Sequence, residues 1–271
     1  MRPIETLADV ARDAVAIGAD LVRSATPHQV IEKSDRDTVT DVDVKVEQEV
    51  RAYLARLTPE IGFLGEEEGS SGDTEYTWVL DPIDGTSNFA HGLPLCAVSL
   101  ALVERGRPIV AETTAPFLDL RYNAIRDRGS FVNGQRMRAS RTSELSKAIV
   151  SIGDYAVGDG AASKNEQRIR LTALLADRVE RVRMFGSAAL DLAWVAEGRT
   201  DGTVILANKP WDMAAGILLA REAGAQVLDS SGDSHSFHSP DTVVACPGIA
   251  DAVLSIVQIA IELGHLPGGS T

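Results

Sequence analysis

The chain has no excess of positive charge, no long apolar run and no cysteine framework. Its 271 residues carry 26 Lys and Arg against 39 Asp and Glu, a formal net charge of −13. Such a balance argues against nucleic acid and anionic membranes as partners. It also repels a phosphate ligand unless bound cations reverse the sign locally. No apolar stretch approaches the ~18–20 residues that span a bilayer. The opening residues, MRPIETLADVARD, carry acids and no apolar segment, which predicts no signal peptide and a cytoplasmic protein. The two cysteines, Cys96 and Cys246, sit among apolar neighbours, as buried free thiols of a reducing compartment do. Internal repeats, low-complexity runs and interdomain linkers are also absent. What is present is an ordinary globular composition, 44% hydrophobic and 24% charged, long enough to bury a full core.

The most informative stretch is Trp78 to Phe89, WVLDPIDGTSNF. Trp78, Val79 and Leu80 read as a strand, and Asp81 and Asp84 then flank Pro82. Burying two unpaired carboxylates side by side is prohibitive, and a divalent cation with its demand for oxygen ligands resolves the conflict. Pro82 fixes φ, so the spacing predicts a rigid turn that aims both acids at one point. Gly85 lets the backbone approach a ligand, and Thr86 and Ser87 can cap a short helix whose N–H groups favour an anion. The plain alternative is an Asp-Pro turn with an Asx bend.

Along the chain, residues 4–24 show helical spacing, and a second helix is expected from Thr40 or Asp41. Ile61–Leu64 reads as a strand running into Gly65-Glu66-Glu67-Glu68, either a solvated loop or acids aimed from a strand end. Strands are expected at 95–104 and 108–114, and Asn133-Gly134 is a hairpin-turn dipeptide. Beyond about residue 142 strands and helices alternate. The expected strands are 148–152, 179–184, 203–206, 226–228 and 243–246. The expected helices are 165–177, 187–197, 213–223 and 250–263. Such alternation favours a layered α/β architecture. Gly186-Ser187 opening one helix and Asp212 before another are equally readable as caps.

The stretch WVLDPIDGTSNF resembles the D-P-[IL]-D-G-T-x-N-F signature of the inositol monophosphatase family. Lys33 to Asp43, Gly65-Glu66-Glu67 and Trp211-Asp212-Met213-Ala214-Ala215-Gly216 are similar to three further family motifs in the same order. The resemblance implies a layered α-β-α-β-α sandwich of the inositol monophosphatase and fructose-1,6-bisphosphatase type. It would be one domain, 1–271, with an α+β half (1–142) and an α/β half (143–271). It implies hydrolysis of a small phosphorylated metabolite by two to three Mg²⁺ ions in a homodimer. Glu66, Asp81 and the Ile83 carbonyl would hold the ion that activates water. Asp81, Asp84 and Asp212 would hold the one facing the leaving group, and a third, weaker ion would lie near Glu66. By the same resemblance Thr86 and Asp43 orient and deprotonate the water, and the N–H groups of Gly85 and Thr86 hold phosphate. Gly186, Ser187 and Ala188 would touch substrate, and Lys33 and Asp37 would lie in a segment closing over the metals.

One position departs from the pattern. Relatives handling inositol phosphate often carry a Glu seven residues before the W-D aspartate, where this chain has Ile205. Ile accepts no hydrogen bond, so the expectation is an apolar wall there, or a core residue. Inositol 1-phosphate is the first candidate substrate. Histidinol phosphate, another sugar phosphate or a nucleotide phosphate are alternatives. A different class is a non-catalytic, metal-binding regulatory or scaffold protein, and turnover of any phosphate monoester separates the two.

Overall fold

The computed structural model describes residues 2–25, 30–34, 37–72 and 75–262. It opens with α1 (Ile4–Ser24), a hairpin β1 (Val30–Ser34) and β2 (Asp37–Thr40), and α2 (Asp41–Leu57). Then follow β3 (Gly62–Gly65), β4 (Gly69–Ser71), β5 (Tyr76–Asp84) and the short α3 (Thr86–Ala90). The strands β6 (Ala97–Glu104), β7 (Arg107–Ala115), β8 (Leu120–Ile125), β9 (Gly129–Val132) and β10 (Gln135–Arg136) complete an eight-stranded sheet ordered β10-β9-β8-β7-β6-β5-β3-β4. The remaining chain gives β11 (Ile149–Ile152), α4 (Ala161–Ala176), β12 (Arg181–Arg183) and α5 (Ala188–Glu197). It ends with β13 (Gly202–Ile205), α6 (Pro210–Glu222), β14 (Gln226–Leu228), β15 (Thr242–Ala245) and α7 (Ala250–Glu262). Its five strands form a second sheet, ordered β12-β11-β13-β15-β14.

Burial divides these elements into five layers. The apolar stripe of α1 (Leu7, Ala11, Ala14, Val22) and that of α2 (Val46, Val50, Leu54) pack on one face of the large sheet, against Trp78, Leu80, Leu100 and Leu102. The opposite face, with Val79, Ala101 and Ala111, meets α5 and α6 through Ala193, Ala214 and Leu218. The far sides of α5 and α6 rest on the small sheet through Leu192, Met213, Ile205 and Val244. Finally α4 and α7 cover its outer face with Leu171, Leu175, Val253 and Val257. This is the α-β-α-β-α sandwich. Helices α5 and α6 touch a sheet on both sides, which is why nearly all of their residues are apolar or small. Cys96 and Cys246 are buried and free, and among the described residues no helix is long and apolar enough to cross a membrane.

Three local expectations differ from the structure. Helix α4 begins at Ala161, inside the expected loop, because Gly160 in the left-handed region opens it. Asp212 does not cap α6: Lys209 holds that position, Pro210 takes the first turn, and Asp212 is the third helical residue. Pro82 makes no turn, since β5 runs extended through it to Asp84. The Asn133-Gly134 hairpin forms as expected between β9 and β10, with φ of 49° and 78° at its two turn residues.

Glu112 on β7 is only 6% exposed. Burial pushes its pKa from 4.5 up to about 8, against the pull of Arg12 and Arg121. The folded protein thus keeps a proton that the unfolded chain loses, so stability is full below pH 4.5 and declines as pH rises toward about 8. Glu112→Gln removes the titration. Its melting temperature should gain steadily on the wild type between pH 5 and 8, as calorimetry at several pH values would show. A constant gap would contradict the assignment.

Candidate active site

A strand alternates its side chains, so acids three residues apart face opposite ways. In β5 the pairing corrects this. Asp81 lies opposite Ser99 and Asp84 opposite Ala97, so β5 spends three residues where β6 spends two. The extra residue is a bulge containing Pro82, which has no N–H to lose from the ladder. Asp81 and Asp84 therefore share the face turned toward α5 and α6, while Ile83 joins Trp78 and Leu80 in the core on the other side.

Glu66 arrives from the neighbouring strand. β3 pairs in parallel with β5, Gly65 opposite Leu80, so the turn after Gly65 emerges beside Asp81. A buried carboxylate, Glu47 of α2, holds that turn by accepting from Glu67 N at 2.9 Å and Glu68 N at 2.8 Å. A Cβ at position 65 would lie 2.3 Å from the Glu47 carboxyl carbon, so only glycine lets the turn close on it. Glu68 turns away to Arg51 at 3.0 Å and Gln48 at 2.8 Å.

Asp43 completes a capping box at the start of α2, accepting from Thr40 N at 2.9 Å and from the Thr40 hydroxyl. Its other oxygen accepts from Thr86 Oγ1 at 2.9 Å. Burial raises the Asp43 pKa. Thr86 Oγ1 is also 2.9 Å from the Ile83 carbonyl. Thr86 begins α3 directly after Gly85, whose φ is 87°. A Cβ on Gly85 would come within 2.8 Å of the Leu95 carbonyl. Expected partners Thr86, Asp43, Ile83 and Gly85 thus lie together.

Two helix starts meet the acids. At α5, Asp84 accepts from the Ser187 hydroxyl, from Ala188 N at 3.1 Å and from Ala189 N at 2.8 Å. Ser187 is 3% exposed and also caps α5 through Leu190 N. The Ser187 hydroxyl, expected at the substrate, is here engaged in supporting Asp84. Ala188 N and the carbonyl of Gly186 are likewise engaged, the latter by Asn88 at 3.3 Å. Asp212, in the first turn of α6, faces the cluster from the other helix. Ile205 is 6% exposed and packs with Leu192, Met213 and Ile217, so it is a core residue and not a substrate wall. Lys33 lies in β1 and Asp37 opens β2, but their side chains fall outside the described residues.

The acids feel one another. Burial first, and then the charges of Glu66, Asp84, Asp212 and Asp43, drive the Asp81 pKa well above the usual carboxylate range. Asp212 is driven up by burial and by Asp84 and Glu66. Asp84 reaches only about 6, because its three donors offset part of the burial. Asp81 is 2% exposed, and its Oδ1 has no hydrogen-bond partner among the described residues. As the side chains stand, no three acidic, His or Cys groups among the described residues converge tightly enough to enclose an ion. An orphaned buried oxygen amid repelling carboxylates is nonetheless the donor set that a hard cation fits.

Several contributors carry no sequence signal of their own. Asn88 Nδ2 donates to the Leu95 carbonyl at 2.8 Å and the Phe185 carbonyl at 2.7 Å, tying the end of β5 to the start of α5. Asp154 follows β11, where Gly153 N bonds the Val204 carbonyl at 2.9 Å, and its charge raises the pKa of both Asp84 and Asp191. Glu47 is the third. Of these, only Asn88 belongs to a family string, and that string gives it no role.

The five-layer fold, with buried acids where its two sheets meet through α5 and α6, is that of a phosphatase. The inositol monophosphatase family profile matches residues 4–262, and the chain belongs to that family, whose members are generally metal-dependent and act on small phosphorylated substrates. The chain is 38% identical over 232 residues to the inositol-1-monophosphatase of Rhizobium meliloti (strain 1021), spanning 85% of this chain and 86% of that protein. It is 37% identical over 252 residues to the Nus factor SuhB of Pseudomonas aeruginosa, 90% and 92% of the two chains. The crystal structure of extragenic suppressor protein suhB from Bartonella henselae matches with a TM-score of 0.86 at 34% identity, covering 93% of this chain and 98% of that one.

Asp81 has an orphaned oxygen whereas Asp84 has three donors, so the two should respond differently to neutralisation. Without divalent cations, Asp81→Asn should melt at a higher temperature than Asp84→Asn, whose amide would confront the N–H groups of α5. Both should lose phosphatase activity. Scanning calorimetry in metal-stripped buffer checks the order, and the reverse order would place the repulsion elsewhere.

Proposed function

We propose that this chain hydrolyses a small phosphate monoester, inositol 1-phosphate first, with two to three Mg²⁺ ions held by Glu66, Asp81, the Ile83 carbonyl, Asp84 and Asp212. The observation that carries this reading is the buried Asp81 oxygen without a partner, amid four other acids. When bound, Mg²⁺ neutralises these carboxylates, activates water and offsets the charge of the phosphate and the departing alkoxide. Thr86 Oγ1 then accepts the proton of the attacking water as its own passes to Asp43 Oδ1, 2.9 Å away. Thr40 keeps Asp43 in place for this. The N–H groups of Gly85 and Thr86 hold phosphate oxygens at the start of α3.

On the leaving-group side, Ile205 offers no acceptor. Asp154, at the neighbouring strand end, is the carboxylate placed to receive a substrate hydroxyl. A second reading, a regulatory partner with little turnover, draws on the relative named a Nus factor. The full set of acids together with the Thr86–Asp43 pair favours hydrolysis.

Phosphate release from inositol 1-phosphate should require Mg²⁺, vanish on chelation and be inhibited by Ca²⁺, whose longer and looser coordination disturbs the geometry. Full activity after exhaustive chelation would sink the metal assignment, and no turnover of any phosphate monoester would favour the regulatory reading. Asp154→Ala should raise KM for inositol 1-phosphate about tenfold, the worth of one hydrogen bond to a charged group, and leave glycerol 2-phosphate nearly unchanged. Ile205→Glu would bury an unpaired carboxylate and should cost on the order of several kcal/mol in unfolding experiments.

A further inference from the structure

Away from the acids, a cavity of about 890 Å³ lies between the β6–β7 hairpin, one face of α6 and residues 234–240. Its size falls within the ~300–1,000 Å³ of small-ligand sites. Five cations reach it: Arg105, Arg107, Arg126, Lys209 and Arg221. Arg105 pairs with Glu75 at 2.5 Å and Arg126 with Glu104 at 3.0 Å. Arg107, Lys209 and Arg221 have no ion pair among the described residues. Two carboxylates also line it, Asp127 and Glu222. Glu222 is committed to the backbone, accepting from Asp127 N at 2.8 Å and Gly129 N at 2.7 Å.

Arg107 and Arg221 come from different elements and repel each other across this space; burial and then the Arg107 charge disfavour the charged form of Arg221. Arg221 cannot simply swing away, because its Nη2 donates to the His235 carbonyl. His235 is itself fixed, its Nε2 lying 2.8 Å from Thr242 Oγ1 and 3.1 Å from Asn208 Nδ2. Two guanidinium groups facing one cavity, neither in an ion pair among the described residues, form an arrangement that an anion stabilises. In a chain of net charge −13, Arg107 and Arg221 at one cavity stand against the background field, with Lys209 at its rim shared with Asp212 and the Trp211 ring. Met213, Ile217 and Leu218 of α6 give the same space an apolar floor. That combination suits an organic phosphate better than a bare ion.

We propose that this cavity is a second, non-catalytic ligand site for a small phosphorylated molecule, its phosphate groups held by Arg107 and Arg221 and its organic body lying on α6 toward Lys209. The same helix carries Asp212 one residue before Met213, so occupancy here bears on the first turn of α6. The binding claim does not depend on which substrate the acid cluster turns over.

The test is calorimetric titration of the full chain with inorganic pyrophosphate in buffer free of divalent cations, where the clustered acids repel anions. One saturable site is expected. Arg107→Glu, a change at an exposed hairpin position, should weaken it by at least about tenfold, whereas Arg107→Lys should retain most of it and Asp81→Asn should leave it unchanged. Inorganic phosphate should bind more weakly than pyrophosphate. Absence of pyrophosphate binding overturns the proposal. So does binding that ignores Arg107→Glu, or binding that changes with Asp81→Asn and therefore belongs to the acid cluster.

Discussion

Carboxylates repel, and a fold that buries several of them must hold each from its own backbone. The extra residue in β5 is the constraint from which the others follow. Without it Asp84 would point toward α1 and α2, into the apolar cluster around Trp78 and Leu80. With it, Asp81 and Asp84 face the middle layer, where the starts of α5 and α6 are the nearest polar backbone. The positive end of a helix dipole partly offsets the cost of an acid there. Proline is compatible with this point of the strand because a bulge already gives up a ladder bond.

The acids differ in how well the protein satisfies them. Asp43 and Asp84 are each anchored by several donors from a helix start. Glu47 is anchored by two turn amides and takes no place among the expected ligands. Asp81 has an oxygen with nothing opposite it. The protein thus fixes the periphery of the cluster by hydrogen bonds and leaves the centre electrostatically unsatisfied. That is the distribution expected where a cation, and not another side chain, supplies the balancing charge.

Acids carried by contiguous motifs were legible in the sequence because motif order and local chemistry name them: Glu66, Asp81, Asp84 and Asp212 all reach one region. A layered α/β architecture was legible from the alternation of strands and helices after residue 142, and the five-layer sandwich only through the family resemblance. Contacts between segments were not. Asn88 reads as one polar residue in a short helix, yet it spans to Phe185. Glu47 reads as one acid on an amphipathic helix. Ser187 and Ile205 have spacings compatible with either face of their elements, and only the packing of α5 against β5 and β13 assigns them to the interior. Pro82 was misjudged for a related reason: proline marks a turn locally, whereas the neighbouring strand decides that the chain continues.

The bonds from Asp84 to Ala188 and Ala189, and from Asn88 to Phe185, join residues about a hundred positions apart in the chain. During synthesis the large sheet can pair all its strands before α5 exists, but Asp84 then still faces water. Its burial waits for the second half to dock, so the electrostatic cost of the site falls in the same step that covers the apolar face beneath α5 and α6. A nascent chain that stalls before α5 would therefore expose the acids of β5 in the middle of a bare apolar sheet face, the face that Ala193 of α5 and Ala214 and Leu218 of α6 later cover.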